Sequence, residues 1–520
     1  MSAPLSQEAS SLANGSRPDI PSVAPWDEHN QKWVSYVHPA NWTNPRPSGN
    51  YNLLVVGAGP AGLVAAIGAA GLGAKVAIVE KHLMGGDCLN VGCVPSKALI
   101  SAAKVAAAVR DAHAFGVEVP SGAYVDFAGV MQRLRKIRAD ISHHDSAARL
   151  TELGIDVFIG SGQFVGRRSF EIDGKTIRFS KACVATGARA AAPPIRGLED
   201  VEYLTNENVF TLTELPRRIA FIGAGPIGCE LSQAFRRFGS EVTLVESNRG
   251  LLPKEDREAA AIIRQSLLRD GVAIRGGVRD LQVRTSGDGI HLSVDGAEAP
   301  WETTIDRLVV AAGRAPNVES LSLDSAGVEY SKHGIRVNDR LQTTNKNIFA
   351  AGDVASKYQF THSADFMARI VIGNALFFGR SKASALTIPW CTYSEPELAH
   401  VGKTAQELTD DDAQFQTFTV KMSEVDRAIL DGEDEGFVRV HADQKGRVLG
   451  ATIVAAHAGD MIAELSLAMT NGLRLGNIAN TIHPYPTQSE AVRKVGDLYN
   501  RTRLTPFVKR VMKAILAWRR

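Results

Sequence analysis

The sequence predicts an α/β chain in which one βαβ module occurs twice and a third unit of α+β texture follows. Three observations lead there. A short apolar run, Tyr51–Val56, passes into a Gly-rich turn, a helical pattern to about Gly71 and a second strand at Lys75–Val79. The same order recurs at Arg218–Ile222, Ile227–Phe238 and Glu241–Val245. Residues 388–500 differ, with a Pro-flanked opening at Pro389 and mixed strand and helix patterns.

With 520 residues the chain has room for three or four cores at roughly 150 residues each. A formal charge of +2 provides no field for nucleic acid, and 44% hydrophobic with 22% charged residues is ordinary globular composition. Five cysteines in such a length exclude a disulfide-scaffolded secreted domain. Residues 1–27 lack a charged start followed by an apolar core, so a cytoplasmic protein is expected. Residues 1–50 are Pro-, Ser- and Asn-rich and aperiodic, and read as an extension lying on a surface or partly disordered. Val55 to Ala74 is uncharged and long enough to suggest a membrane span, but its glycines and Pro60 suit a nucleotide fold.

Each repeat carries a fingerprint. The first is Gly57-Ala58-Gly59-Pro60-Ala61-Gly62 with Glu80 at the end of the next strand. The second is Gly223-Ala224-Gly225-Pro226-Ile227-Gly228 with Glu246 at the matching place. Glycines allow a tight turn and close backbone approach, the helix N-terminus faces a pyrophosphate, and the carboxylate accepts from a ribose hydroxyl. Both modules are therefore Rossmann-like, and the chain is expected to bind two dinucleotides. A carboxylate at Glu246 favours a free 2′-hydroxyl, hence NADH over NADPH, with Arg249 nearby as a partial offset.

Gly85-Gly86-Asp87-Cys88-Leu89-Asn90-Val91-Gly92-Cys93-Val94-Pro95-Ser96-Lys97 carries the chemistry. On a regular helix, positions five apart point about 140° away from each other, so a Cys88–Cys93 bridge requires an irregular turn. Asn90 and Gly92 are suited to supply it, and Pro95 suits the first turn of a following helix. Cys93 then lies near a helix N-terminus, where a thiolate is stabilised. Two unconnected buried thiols are the alternative. Cys183, Cys229 and Cys391 are isolated and read as core residues.

Twin fingerprints with a Cys-x4-Cys pair resemble the class I pyridine nucleotide-disulfide oxidoreductases, the flavoprotein disulfide reductases, from about Tyr51 to Arg501. Further motifs of that family stand in order at Ala185-Thr186-Gly187, Ala312-Gly313-Arg314-Ala315-Pro316-Asn317 and Ile348-Phe349-Ala350-Ala351-Gly352-Asp353. The resemblance implies FAD on the first fingerprint, with Gly57, Gly59, Pro60, Ala61, Gly62, Glu80, Lys81, Gly86, Asp87, Ala185, Thr186, Gly187, Gly352 and Asp353 in its site. Glu80 would meet the adenosine ribose and Asp353 the ribityl chain. NADH or NADPH would lie on Gly223, Gly225, Gly228, Glu246 and Gly313. The implied domains are an extension (1–50), an FAD-binding domain in two parts (51–200 and 321–387), an NAD(P)H-binding domain (201–320), a dimerisation domain (388–500) and a tail (501–520).

The family's Lys–Glu pair near the flavin falls on Lys97 and Glu230. Electrons then run from the nicotinamide through the flavin into a Cys88–Cys93 disulfide at Cys93, leaving Cys88 as the exposed thiol that meets substrate. Members are homodimers whose C-terminal motif completes the partner's active site.

The substrate side divides the family. Its disulfide-reducing members have a His five residues before a Glu. In His483-Pro484-Tyr485-Pro486-Thr487-Gln488-Ser489-Glu490, Tyr485 holds that register and His483 stands two residues early. Mercuric reductases also have a Tyr here, and a soft metal held by Cys88 and Cys93 thiolates needs no proton donor. No structural metal is expected. The chain has neither the terminal cysteine pair nor the N-terminal metal-binding domain of those enzymes. A soft metal ion such as Hg(II) leads as acceptor, followed by a small disulfide or dihydrolipoamide-type dithiol, then a redox-sensing flavoprotein with little turnover. In the tail, Phe507, Val511, Ile515 and Trp518 follow helical spacing among Lys509, Arg510 and Lys513. Such a stripe docks on its own protein or makes peripheral membrane contact.

Overall fold

The computed structural model describes residues 23–246, 250–294 and 300–520. Arg249, the offset to Glu246, lies outside the described residues.

The first sheet is built around Asn50–Val56, whose register runs parallel to Val76–Glu80 on one side and Lys175–Val184 on the other. Ile155–Ile159 extends it beyond Val76–Glu80, and Ile348–Ala350 returns late in the chain to pair with Lys175–Val184. Leu53, Val55 and Ile78 pack on Ala61 and Ala65 of the helix Pro60–Gly71 and on Val371 of Thr361–Leu376. These strands read as continuous apolar runs because both faces are covered, one by those helices and the other by Phe164 and Phe170 of neighbouring strands and by Leu321 and Leu323 of a loop. The second sheet repeats the design with the order Ala273–Arg275, Glu241–Val245, Arg218–Ile222, Arg307–Val310, all parallel. Phe221, Leu244 and Phe235 are buried at its centre. The third unit is a five-stranded antiparallel sheet, in the order Pro389–Thr392, Glu397–Gly402, Val448–Ala455, Phe437–Ala442, Gln416–Lys421. The α/β class and the third α+β unit are as the sequence predicts.

Two stretches differ from expectation. Inside the segment read as an aperiodic extension stands a helix, Glu28–Val37, N-capped by Asp27, with Trp33, Val34 and Val37 buried in the first core. Three apolar anchors within ten residues and flanking prolines leave too little pattern for its period to be read. The tail forms the helix Pro506–Trp518, yet none of its residues is buried. Docking of its apolar stripe on its own chain is therefore not seen.

Candidate functional site

The two fingerprints are nearly superimposable in their geometry. Gly57 has φ +104° and Gly223 φ +108°, a region that suits glycine. A Cβ on Gly62 would lie 1.8 Å from the Gly57 oxygen, and one on Gly228 would lie 1.8 Å from the Gly223 oxygen. Helices Pro60–Gly71 and Pro226–Phe238 start from Gly59 and Gly225 with no side chain capping their first N–H groups. An uncapped helix start beside a glycine turn fits a pyrophosphate.

In the first module Glu80 accepts from the Ala58 N–H at 2.7 Å and the His82 N–H at 2.9 Å. Burial pushes its carboxyl above the usual range against those donors. In the second, Glu246 Oε2 is buried without a hydrogen-bond partner among the described residues, an acceptor left open where a ribose hydroxyl would donate. Thr186 and Asn317 lock together, Thr186 Oγ1 donating to the Asn317 carbonyl at 2.7 Å and Asn317 Nδ2 to the Thr186 carbonyl at 2.9 Å. Ala185 donates to the Val56 carbonyl, and the Gly187 carbonyl accepts from Asn317. Asp87 and Asp353 meet through Arg314, at 2.5 Å and 3.4 Å. Burial raises the Asp353 carboxyl, and Arg314 opposes it. Gly352 and Gly313 both have positive φ, and Lys81 is exposed. These residues fit FAD on the first module and a nicotinamide dinucleotide on the second.

The cysteine turn rests directly on the first fingerprint. Gly86 would place a Cβ 2.6 Å from the Gly59 Cα, so only glycines allow the contact. The short helix Gly86–Asn90 carries Cys88, the chain reverses at Val91 and Gly92, and Cys93 opens the long helix Cys93–Asp111. A Cβ on Gly92 would meet the Asp87 oxygen at 2.7 Å, which is why the reversal needs glycine. Cys88 and Cys93 are free thiols here, hydrogen-bonded to each other.

The Cys93 thiol is held below its ordinary range, first by the hydrogen bond from Cys88, then by Thr361 and the nearby Lys97 charge. Its Sγ lies 3.4 Å from Thr361 Oγ1, at the start of its own helix. The Cys88 thiol is driven upward by that same bond and by burial. Cys88 lies within a short helix whose Leu89 and Asn90 are buried, and Cys93 follows the reversal, beside Thr361 and Lys97. Lys97 Nζ stands 2.7 Å from Glu230 Oε2 and 4.5 Å above the Tyr393 ring, and Tyr393 N–H donates to Glu230 at 2.8 Å.

The C-terminal motif is arranged differently from the register argument. Tyr485 is exposed and donates to Asp426 at 2.9 Å, with the Glu490 charge also acting on its hydroxyl. His483 Nε2 lies 3.0 Å from Glu464, and its Nδ1 lies 3.0 Å from the Thr481 carbonyl oxygen. Glu490 binds Arg493 at 3.0 Å. Cys183 and Cys229 are buried as expected, while Cys391 is half-buried. Sequence reasoning missed Thr361, Tyr393, Arg314, Asp426 and Glu464. Arg314 lay inside a quoted motif and Tyr393 inside the Trp390–Glu397 stretch that resembles the start of the dimerisation domain, but Thr361, Asp426 and Glu464 carry no local signal because only the fold brings them to the site.

Residues 51–368 match the family model of the pyridine nucleotide-disulphide oxidoreductases, and residues 388–495 match that family's dimerisation domain. The mercuric reductase of Lysinibacillus sphaericus is 34% identical over 448 residues, covering 85% of this chain and 82% of that protein. The dihydrolipoyl dehydrogenase of Thermus scotoductus is 34% identical over 465 residues, 86% of this chain and 97% of that one. The structure of the HOCl-induced flavoprotein disulfide reductase RclA from Escherichia coli aligns with TM-score 0.77 at 28% identity, covering 86% of this chain and all of that one. Members of the family bind FAD and use NAD(P)H, and the dimerisation domain supports a homodimer. With twin cradles, a cysteine turn seated on the first and family matches across both regions, the chain belongs to the pyridine nucleotide-disulphide oxidoreductases, flavoprotein enzymes that share one fold.

Proposed function

We propose that this enzyme passes electrons from NADH through FAD to the Cys88–Cys93 pair and on to a soft metal ion such as Hg(II), in the cytoplasm. FAD, held by the first cradle, would accept the hydride and relay its electron pair. Lys97, paired with Glu230, would hold positive charge beside the reacting end of the flavin, and the site residues named above would take the roles implied by the family. Overall NADH loses a hydride, NAD⁺ and one proton leave, and Hg(II) gains two electrons to become Hg(0). Thiolates at Cys88 and Cys93 suit a soft ion. Tyr485 and Glu490 would act across the dimer interface.

The observation that carries this reading is the state of the C-terminal motif. Tyr485, in the register of the family's acid–base His, is exposed, whereas both His483 nitrogens have partners. Similarity to mercuric reductases supports it, and RclA was also solved as a Cu(II) complex. The His483–Glu464 contact sustains a disulfide acceptor as the second reading, since a carboxylate-held His is what a leaving thiol needs. NADH and NADPH consumption with Hg(II) in excess thiol, beside a panel of disulfides and dihydrolipoamide, separates them. The expected result is turnover with Hg(II), faster with NADH, that survives His483→Ala. Turnover with a disulfide that His483→Ala abolishes would replace the metal reading.

The tail adds a location. Arg501, Arg503, Lys509, Arg510, Lys513, Arg519 and Arg520 follow Asp497 with no further acid. Phe507 and Trp518 are exposed on the apolar face of the helix. A cationic helix on a chain of formal charge +2 suits anionic lipid headgroups. Co-sedimentation with phosphatidylglycerol vesicles, absent with phosphatidylcholine and lost on deleting residues 504–520, is expected. Equal pelleting after deletion would remove this role.

A further inference from the structure

We propose that the helix Glu28–Val37 is a strap that positions the redox turn, with Trp33 fixing Asn90 and Asn90 holding the spacing of Cys88 and Cys93. This rests on reading the two cysteines as a redox pair.

Asn90 lies between the cysteines and is 5% exposed. Every polar end of its side chain is tied. Its Oδ1 accepts from Trp33 Nε1 at 2.9 Å, and its Nδ2 donates to the Leu83 carbonyl at 3.2 Å and the Met84 carbonyl at 3.1 Å. Its backbone oxygen, at the end of the short helix bearing Cys88, accepts from Arg138 Nη1 at 2.8 Å. Arg138 is itself organised by the strap. Its guanidinium lies 3.6 Å from the Trp33 ring centroid, and its Nη2 donates to Asn30 at 2.7 Å. Burial lowers Arg138 to about 9, and no carboxylate in ion-pair contact with it is seen among the described residues. The Trp33 ring face and the two oxygen acceptors therefore help to keep this cation in place.

The strap is anchored on both sides of that contact. Asp27 caps the helix and binds Arg135 at 2.5 Å, while the Val37 carbonyl accepts from the Met84 N–H at 3.1 Å. Further on, Asn44 brackets Ile159, accepting its N–H at 2.7 Å and donating to its carbonyl at 2.9 Å. The redox turn must accommodate bridged sulfurs at about 2.05 Å and separated thiols that are wider apart. Each tie on Asn90 limits how the turn moves between them. A buried Asn left without its donor would relax, because an unsatisfied buried acceptor is costly.

Trp33→Phe keeps an aromatic ring for Arg138 but removes the N–H together with part of the buried indole, whereas Asn90→Ala leaves the indole in place, so the two together separate the bond from the packing. Asn90→Ala, the double variant and Lys32→Ala complete the set. Lys32 joins the same helix to Asp140 by an exposed pair at 2.7 Å that does not touch the turn. The readouts, on purified FAD-loaded protein, are the Cys88 alkylation rate after dithiothreitol reduction and the dithiol-to-disulfide ratio in dithiothreitol buffers.

Trp33→Phe should speed Cys88 alkylation about five- to tenfold and shift the ratio at least threefold. The double variant should behave like the stronger single one, since both remove the same contact, and Lys32→Ala should match wild type. A folded Trp33→Phe protein that equals wild type in both readouts overturns the proposal, as do effects that multiply in the double variant. Because dithiothreitol supplies the electrons, the alkylation readout does not depend on NADH reducing the pair. Failure of the strap and failure of the redox reading are thus seen separately.

Discussion

Replacing Cys88 by Ser is expected to cut acceptor turnover by roughly a thousandfold or more while NADH still bleaches the flavin. Cys88 and Cys93 share a hydrogen bond at the start of the helix Cys93–Asp111, which lowers the Cys93 thiol and raises that of Cys88. Removing one sulfur ends both disulfide formation and two-thiolate metal capture, yet leaves the fingerprints and the Lys97–Glu230 pair intact. The thiolate of Cys93 has its own supports in Thr361 and Lys97. Because Cys88 is the largest of the groups that lower the Cys93 thiol, and burial opposes the rest, the alkylation midpoint of Cys93 should move upward in Cys88→Ser, and adding Thr361→Val should move it further. Full acceptor turnover in Cys88→Ser, measured by stopped-flow and steady-state NADH oxidation, would remove the dithiol from the pathway.

The second large effect separates the two cradles. Gly62→Ala puts a Cβ 1.8 Å from the Gly57 oxygen, an overlap with backbone that no side-chain rotation relieves. That protein should purify without flavin. Gly228→Ala creates the same 1.8 Å overlap with the Gly223 oxygen. It should retain its flavin, reducible by dithionite, while the KM for NADH rises at least about tenfold. Absorbance of the purified proteins and NADH saturation curves check both. Flavin loss from Gly228→Ala but not Gly62→Ala would reverse the assignment of the modules.

Much of this was legible because short-range rules govern it. The twin glycine turns carry their signal within six residues and set the strand–turn–helix order, and Asn90 and Gly92 mark the reversal between the cysteines. The N-terminal helix was not legible. Trp33 earns its place through Arg138 and Asn90, partners distant in sequence, and a ten-residue helix between prolines shows little period. The C-terminal motif was read only in part for the same reason. Register put Tyr485 in the place of a His, but Asp426 and Glu464, which decide what Tyr485 and His483 can do, come from other elements of the third unit.

Anaerobic titration of the oxidised holoenzyme with NADH, followed by alkylation and peptide mass mapping, reads whether electrons from the nicotinamide reach the cysteine pair. About two new thiols per subunit are expected, at Cys88 and Cys93, as one disulfide opens. Flavin reduction with no new thiol at either position would contradict that transfer.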